Sequence, residues 1–170
     1  MREPDVSFAA HLPETVRVMV DMGLFLVSGT MEEHNVMTIG WGTAGIVWAR
    51  PVFIVLVRPS RYTYGLVEQT GEFTVNVPTP NMRETVLFCG TVSGRDHDKW
   101  KERDLSAVPA SQVNTPVIGE CPVHYECRVI HSNDVIPAAL AGAIPPEFYP
   151  EHDYHRVYFG EIVATSGDGS

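Results

Sequence analysis

Val52-Phe53-Ile54-Val55-Leu56-Val57, followed at once by Arg58-Pro59-Ser60-Arg61-Tyr62-Thr63, is the stretch on which the reading of this chain turns. The first six residues are apolar at every position and rich in β-branched side chains, the composition of a strand buried on both faces, and it is predicted to be central. Pro59-Ser60 breaks the strand. Arg61 to Thr70 then reads as a helix capped by Ser60 and stopped by Gly71.

Working outward, Phe73, Val75 and Val77 alternate with Glu72, Thr74 and Asn76 and restore the period of a strand before Pro78. Asn81 with Glu84 resembles a capping box for a helix running to about Thr91. Ser93 to Gly119 is irregular, with a hint of helix around Lys99 to Arg103. Cys121, Val123, Tyr125, Cys127 and Val129 alternate with polar partners and give the cleanest half-buried strand in the chain. Pro137 to Pro150 is a loop with at most a turn of helix. His155 to Thr165 closes the chain as a strand, with Gly167 to Ser170 expected to fray.

Upstream, Glu14 to Met22 has helical spacing after Pro13 and is closed by Gly23. Leu24 to Thr30 and Asn35 to Trp41 flank the polar turn Met31 to His34 as a hairpin. Six or so sequence-adjacent strands, few helices and no βαβ alternation predict a mainly β fold with helical insertions, an antiparallel barrel. No strand is followed by G-x-G-x-x-G, so a Rossmann domain is not supported.

Composition bounds the function. The chain has 170 residues, read as one domain over residues 1–170, and a formal charge of −9 from 21 acidic against 12 basic residues. Such a charge disfavours nucleic acid as a partner. No apolar run has transmembrane length, and no membrane association is expected. Three cysteines and the lack of a basic flank ahead of an apolar segment point to a reducing cytoplasm.

Three places could carry chemistry. The Arg58 to Thr63 turn puts two guanidinium groups and free helix N–H groups where an anion would sit, although an ordinary capped helix with solvated arginines gives the same string. Ser93-Gly94-Arg95-Asp96-His97-Asp98-Lys99-Trp100, after Cys89-Gly90, could bring a hydroxyl and a lysine to the same anion, or could be a solvated loop. Asn35 to Trp41, with Gly40, Gly42 and Gly45 nearby, offers an amide and an indole on one face of a strand, a surface suited to a flat heteroaromatic ring or to a plain core hairpin. Cys121-x-x-His124-x-x-Cys127-x-x-x-His131 invites a zinc reading. Strand geometry undercuts it, because His124 points away from both cysteines and six residues of strand separate them by about 20 Å. Cys89 reads as a small buried apolar residue rather than a reactive thiol.

Taken in order, Asn35-Val36-Met37-Thr38-Ile39-Gly40-Trp41, Arg58 to Thr63, Glu72 to Pro78, Cys89-Gly90-Thr91-Val92-Ser93-Gly94, Asp98-Lys99 and Phe159-Gly160-Glu161-Ile162 resemble the flavin-reductase-like domain family, in particular its flavoredoxin branch. The resemblance implies an FMN-binding split β-barrel of Greek-key type that forms a homodimer. It implies that Asn35 and Trp41 contact the isoalloxazine with Met37 and Thr38 beside them. Ser60, Arg61 and Thr63 would meet the ribityl phosphate with Arg58, Gly90, Ser93 and Lys99 around them, and Phe159 would approach the ring from the closing strand. His155 is a further candidate at the site. No catalytic residue is obligatory, because the flavin supplies the chemistry. Three functions follow: an NAD(P)H-dependent flavin reductase, an electron carrier that keeps FMN and serves a protein partner, or a split-barrel binding module with no redox role.

Overall fold

The computed structural model describes residues 5–167. After a 3-10 turn, Ser7–His11, the elements are α1 (Leu12–Asp21), β1 (Leu24–Gly29), β2 (His34–Ile39), β3 (Gly42–Val47), β4 (Arg50–Val57), α2 (Tyr62–Thr70), β5 (Glu72–Val77), α3 (Arg83–Thr91), α4 (Lys99–Glu102), β6 (Ala107–Val108), β7 (Val117–Ile118), β8 (Val123–Asp134), α5 (Ile144–Phe148) and β9 (Arg156–Gly167). Seven strands form one sheet in the order β2-β1-β5-β8-β9-β4-β3, and β6 pairs only with β7 among the described residues. Each of these pairings is antiparallel. The mainly β architecture with helical insertions is as expected. Among the described residues no helix is long and apolar enough to cross a membrane.

The sheet curls because its longest pair is irregular. β8 and β9 shift register between Glu126 and Cys127 and again between Val129 and His131, and such bulges bend a strand and raise its twist. The curl brings β2, at one edge, back against β4, next to the other. Inside the curve, Leu24, Leu26, Phe53, Val55, Phe73, Val75, Tyr125, Cys127 and Tyr158 make the main core. A second cluster, Phe25, Val27, Val36, Val86, Cys89 and Ile118, fills the space between β1, β2 and α3. α1 is tied to the main core by a buried hydrogen bond of 2.7 Å between Thr15 and Tyr125. The Thr15 hydroxyl donates its own proton to the His11 carbonyl, so the tyrosine is the donor.

Several expectations are corrected. The strand buried on both faces is β1, where all six residues are buried, because it lies between the two apolar clusters. Along β4 only Val52, Phe53, Val55 and Val57 are buried, while Ile54 and Leu56 are half-exposed. The β3–β4 hairpin has no signal in the local pattern: Gly42, Ala44 and Gly45 are poor strand formers, and the two-residue loop is Trp48-Ala49, both at positive φ, rather than Asn-Gly. Ser60 does not cap α2, whose N-cap is Arg61, although Gly71 does end it in the left-handed conformation. Asn81 does not cap α3 either, since a 3-10 turn, Pro80–Met82, precedes it and Asn81 instead accepts from the Thr79 hydroxyl. On β8, Glu126 is buried rather than outward, because the N–H groups of Ser111 and Gln112 donate to its carboxylate. Gly167 belongs to β9; residues 168–170 of the expected frayed end lie outside the described residues.

Gly160 lets β9 pass close to the Phe73 ring, and a Cβ there would also stand 2.8 Å from the Cys127 Cβ. Gly160→Ala is expected to lower stability by about 1–3 kcal/mol through overpacking, read as a fall in the urea midpoint with an unchanged slope.

Candidate functional site

β4 ends at Val57 at the gap that the curl leaves between β2 and β4, so the turn that follows projects its side chains into that gap. The Arg61 N–H closes the turn onto the Arg58 carbonyl at 3.0 Å, and α2 begins one residue later. Its first-turn N–H groups, at Tyr62 and Thr63, have no acceptor within the helix. Around them lies a cavity of about 90 Å³ whose walls include Ser60, Arg61, Thr63, Gly90, Ser93, Gly94 and Lys99. The two polar segments that the sequence marks as anion sites therefore meet at one place.

A second cavity, of about 170 Å³, adjoins it. Met37, Thr38 and Arg61 line both, and Ile39, Gly40, Trp41, Leu56, Arg58 and His155 complete the second. Its rim is aromatic: Trp41 packs edge-on against Phe148 at 5.1 Å and against His155 at 5.3 Å. Arg58 fastens the segment that carries Phe148, donating to the carbonyls of Phe148 and Asp153, both at 2.9 Å. Ser60 adds a hydrogen bond of 2.6 Å to the Asp153 carboxylate.

Burial sets the charge states. Lys99 is 3% exposed, and its ammonium donates to the carbonyls of Val36 and Cys89, both at 2.8 Å. Desolvation lowers its pKa to about 8, and the positive charge of Arg61 adds to the effect. Two of its three donor hydrogens thus serve the fold, and one is left for a ligand. Desolvation, reinforced by Arg58, lowers the pKa of His155 to about 4, so its imidazole is neutral at physiological pH. Tyr149 shares a 2.8 Å hydrogen bond with its Nδ1. Burial raises the Cys89 thiol to about 11, which keeps it protonated and unreactive.

The expected residues do not all stand where the resemblance puts them. Asn35 and Trp41 do not share a wall: β2 ends at Ile39, so the strand alternation does not reach Trp41. Asn35 lines the smaller cavity, where its amide donates to the Thr63 hydroxyl at 2.8 Å. Thr63 lines the same cavity and is fully buried, its hydroxyl accepting from Asn35. Thr38 donates to the Val86 carbonyl at 2.6 Å and contacts both cavities from the strand between them. Phe159 lines neither cavity; it pairs with Ile54 in register and packs against His131 at 5.2 Å and Trp48 at 5.8 Å. Cys121 and Cys127 fall in different apolar clusters. Among the described residues no group of three or more metal-ligating side chains converges.

Ile39 and Leu56 join the site although the sequence pattern does not assign them to it, and Tyr62 and Gly94 join it from within the two polar strings, where neither has a role of its own. Leu56 is hidden by the expectation that its strand is buried on both faces. Gly94 has a signal of its own kind, a backbone position that must approach another group closely; a Cβ there would collide with the Asn35 side chain and lie 2.8 Å from the Tyr62 ring.

Comparison with known proteins agrees with this geometry. Residues 19–170 match the flavin reductase like domain. The chain belongs to that family. An uncharacterised protein of Archaeoglobus fulgidus is 35% identical over 145 residues, which cover 85% of this chain and 72% of the relative. Among solved structures, this family member is similar to a flavoredoxin from Methanosarcina acetivorans, with TM-score 0.68 and 26% identity over 87% of this chain and 69% of that one. It is similar also to the flavoredoxin of Desulfovibrio vulgaris (Miyazaki F), with TM-score 0.67 and 25% identity over 87% and 70%. The split barrel of the flavin-reductase-like proteins is thus the fold of this chain.

Because Gly94 leaves no room for a side chain, Gly94→Ala is expected to push Asn35 and Tyr62 apart and to weaken binding of inorganic phosphate by about tenfold or more. Calorimetric titration of the variant and the native protein measures it, with the melting temperature of each recorded to separate site loss from unfolding.

Proposed function

We propose that this chain is an FMN-binding oxidoreductase of the flavin reductase kind. The observation that carries the reading is the pair of adjoining cavities that share Met37, Thr38 and Arg61, one small and cationic, the other rimmed by aromatic side chains. A phosphate on a short polyol attached to a flat ring matches both in chemistry and in order. Arg61, the Lys99 ammonium and the first-turn N–H groups of α2 would hold the phosphate, with the Ser93 and Ser60 hydroxyls beside it. Met37, Trp41 and Leu56 would bear on the ring, and neutral His155 would offer a hydrogen bond at its edge without adding charge.

When bound, the flavin would supply the chemistry, taking a hydride at N5 from NADH or NADPH. The chain's part is to hold the ring, leave room above it for nicotinamide and keep the phosphate fixed. No side chain is required to move a proton. A second reading, an electron carrier that keeps FMN and passes electrons to a protein partner, is favoured by the likeness to two flavoredoxins. Oxidation of NADH and NADPH with free flavin as acceptor decides between them: turnover supports the reductase, and retained FMN with negligible turnover supports the carrier. A protein that binds neither FMN nor riboflavin overturns both readings.

The single flavin domain is read as one half of a homodimer in a reducing cytoplasm, which suits three free, buried cysteines. Ile46, Trp48 and Ile130 are 48%, 62% and 38% exposed, and Trp48 packs on His131 and Phe159. Such an exposed apolar strip fits the contact between two copies and gives Phe159 a place. Trp48→Lys is expected to convert a dimer to monomer in analytical ultracentrifugation; a native protein that sediments as a monomer overturns the dimer.

The charge of Lys99 gives a pH test. Its ammonium is protonated below about pH 8 and lost above it. FMN affinity is therefore expected to fall as pH rises through 8, while riboflavin, which lacks the phosphate, is bound with little change over the same range. Arg61→Ala is expected to weaken FMN by about tenfold and riboflavin by less, as loss of a charge-assisted hydrogen bond to phosphate requires. Fluorescence titration with both ligands measures each.

A further inference from the structure

His155 lines the ring cavity one residue before β9 begins, and its two ring nitrogens are not equivalent. Nδ1 lies 2.8 Å from the Tyr149 phenol oxygen in a buried hydrogen bond, while Nε2 has no partner among the described residues. Both side chains are inside the protein, Tyr149 at 4% exposed and His155 at 8%. We infer that Tyr149 is a positioning residue: its phenol donates to Nδ1 and so fixes His155 as the tautomer that carries its proton on Nε2, the nitrogen left for a ligand. The inference rests on the flavin reading above for its consequence, and on the chain alone for the tautomer.

The direction of the bond follows from where the protons can go. A neutral imidazole carries one N–H and a phenol one O–H. Burial, reinforced by Arg58, keeps the imidazole neutral, and burial also raises the Tyr149 phenol above its ordinary value, so that it keeps its proton. Were Nδ1 to donate, the phenol proton would need an acceptor of its own. Tyr149 has no other side-chain hydrogen bond among the described residues, and a buried donor without an acceptor loses its hydration uncompensated. When the phenol donates, its proton is satisfied and Nε2 keeps the proton of the imidazole. The turn holds the phenol ready for this. Arg58 donates to the carbonyls of Phe148 and Asp153, which bracket the turn, and its guanidinium lies 5.2 Å from the centre of the Tyr149 ring. Tyr154 packs on the same ring at 4.7 Å, and the Tyr149 N–H donates to the Pro145 carbonyl at 2.8 Å.

The tautomer sets what the cavity asks of a ring. With the proton on Nε2, the imidazole beside Trp41 offers an N–H donor, which suits a ring with a carbonyl oxygen or an unprotonated nitrogen at its edge. The other tautomer would offer a lone pair and suit an N–H edge instead. Because the donor is uncharged, it adds nothing to the positive charge of Arg58 and Arg61. It does respond to the charge of its acceptor: two-electron reduction puts electron density on the oxygen and nitrogen atoms of a heteroaromatic ring, and a donor binds the richer acceptor more strongly. Tyr149 lines neither cavity, so its effect on a bound ring passes through His155.

Two measurements test this. Proton–nitrogen correlation spectra of the native protein, made with isotope-labelled histidine and recorded without ligand, read the tautomer directly, the His155 signals being those that His155→Gln removes. Nδ1 is expected to be unprotonated and Nε2 protonated at neutral pH; a proton on Nδ1 overturns the inference and leaves the flavin reading standing. Tyr149→Phe keeps the ring and its contacts with Arg58 and Tyr154 and removes only the hydroxyl. It is expected to lower the midpoint potential of bound FMN by about 30 mV, the equivalent of a tenfold loss of preference for the reduced form in a two-electron couple. In a His155→Gln background, where there is no tautomer to set, the same substitution is expected to leave the potential unchanged. An unshifted potential in the native background, or an equal shift in both backgrounds, overturns the inference. If no flavin binds, the flavin reading falls, and the spectrum decides the tautomer without it.

Discussion

The β8–β9 pair governs the molecule. Its two register shifts bend the longest ladder in the sheet, and the bend decides that β2 comes back against β4 instead of lying at a distant edge. A flat sheet of the same strands would keep Met37 and Leu56 at opposite sides. Because the sheet curls and does not close, the gap is lined by residues from β2, from the end of β4 and from the start of α2. The two cavities occupy that gap, and Gly160, where β9 must pass close to Phe73, is part of what permits it.

Much of the polar chemistry in the gap is already in use by the fold. Lys99 holds the carbonyls of Val36 and Cys89 together and so fixes β2 to α3. Asn35 holds Thr63, and Arg58 and Ser60 tie down the segment around Phe148 and Asp153. A site whose walls are set by such bonds needs little rearrangement to receive a ligand, which is how preorganisation favours binding. Charge is arranged against the average. The chain carries a formal charge of −9, yet Arg58, Arg61, Arg95 and Lys99 gather at and around the two cavities. The local charge there is thus opposite in sign to that of the protein as a whole.

Local pattern in the sequence settles what depends on local pattern. The alternation of Phe73, Val75 and Val77, the helix ended by Gly71, and the hairpin that begins at Leu24 follow from side-chain period and backbone preference over a few residues, and the structure has all three, the hairpin ending at Ile39. The polar strings Arg58 to Thr63 and Ser93 to Lys99 are legible as anion-binding candidates, because arginine, lysine and free helix N–H groups suit anions wherever they occur. Pattern fails where period and burial part company. β4 and β1 are both apolar runs, and nothing within either says which has apolar neighbours on its second face. The β3 strand, with Gly42, Ala44 and Gly45 among its six residues, shows no apolar alternation.

What only the tertiary structure decided is which of these pieces share a space. That Ser93 and Arg61 line one cavity, that Asn35 serves Thr63 while Trp41 stands apart with His155, and that Phe159 faces Trp48 all depend on the curl of the sheet and the place where its edges meet. The physical reason is one of range: hydrophobic period and turn chemistry act over a turn or two of chain, whereas the curl is set by pairings between residues far apart in the chain, as when Glu126 meets Ala164. Sequence alone determined a mainly β chain and two polar segments of a kind that suits an anion. Folding turned those segments into one site.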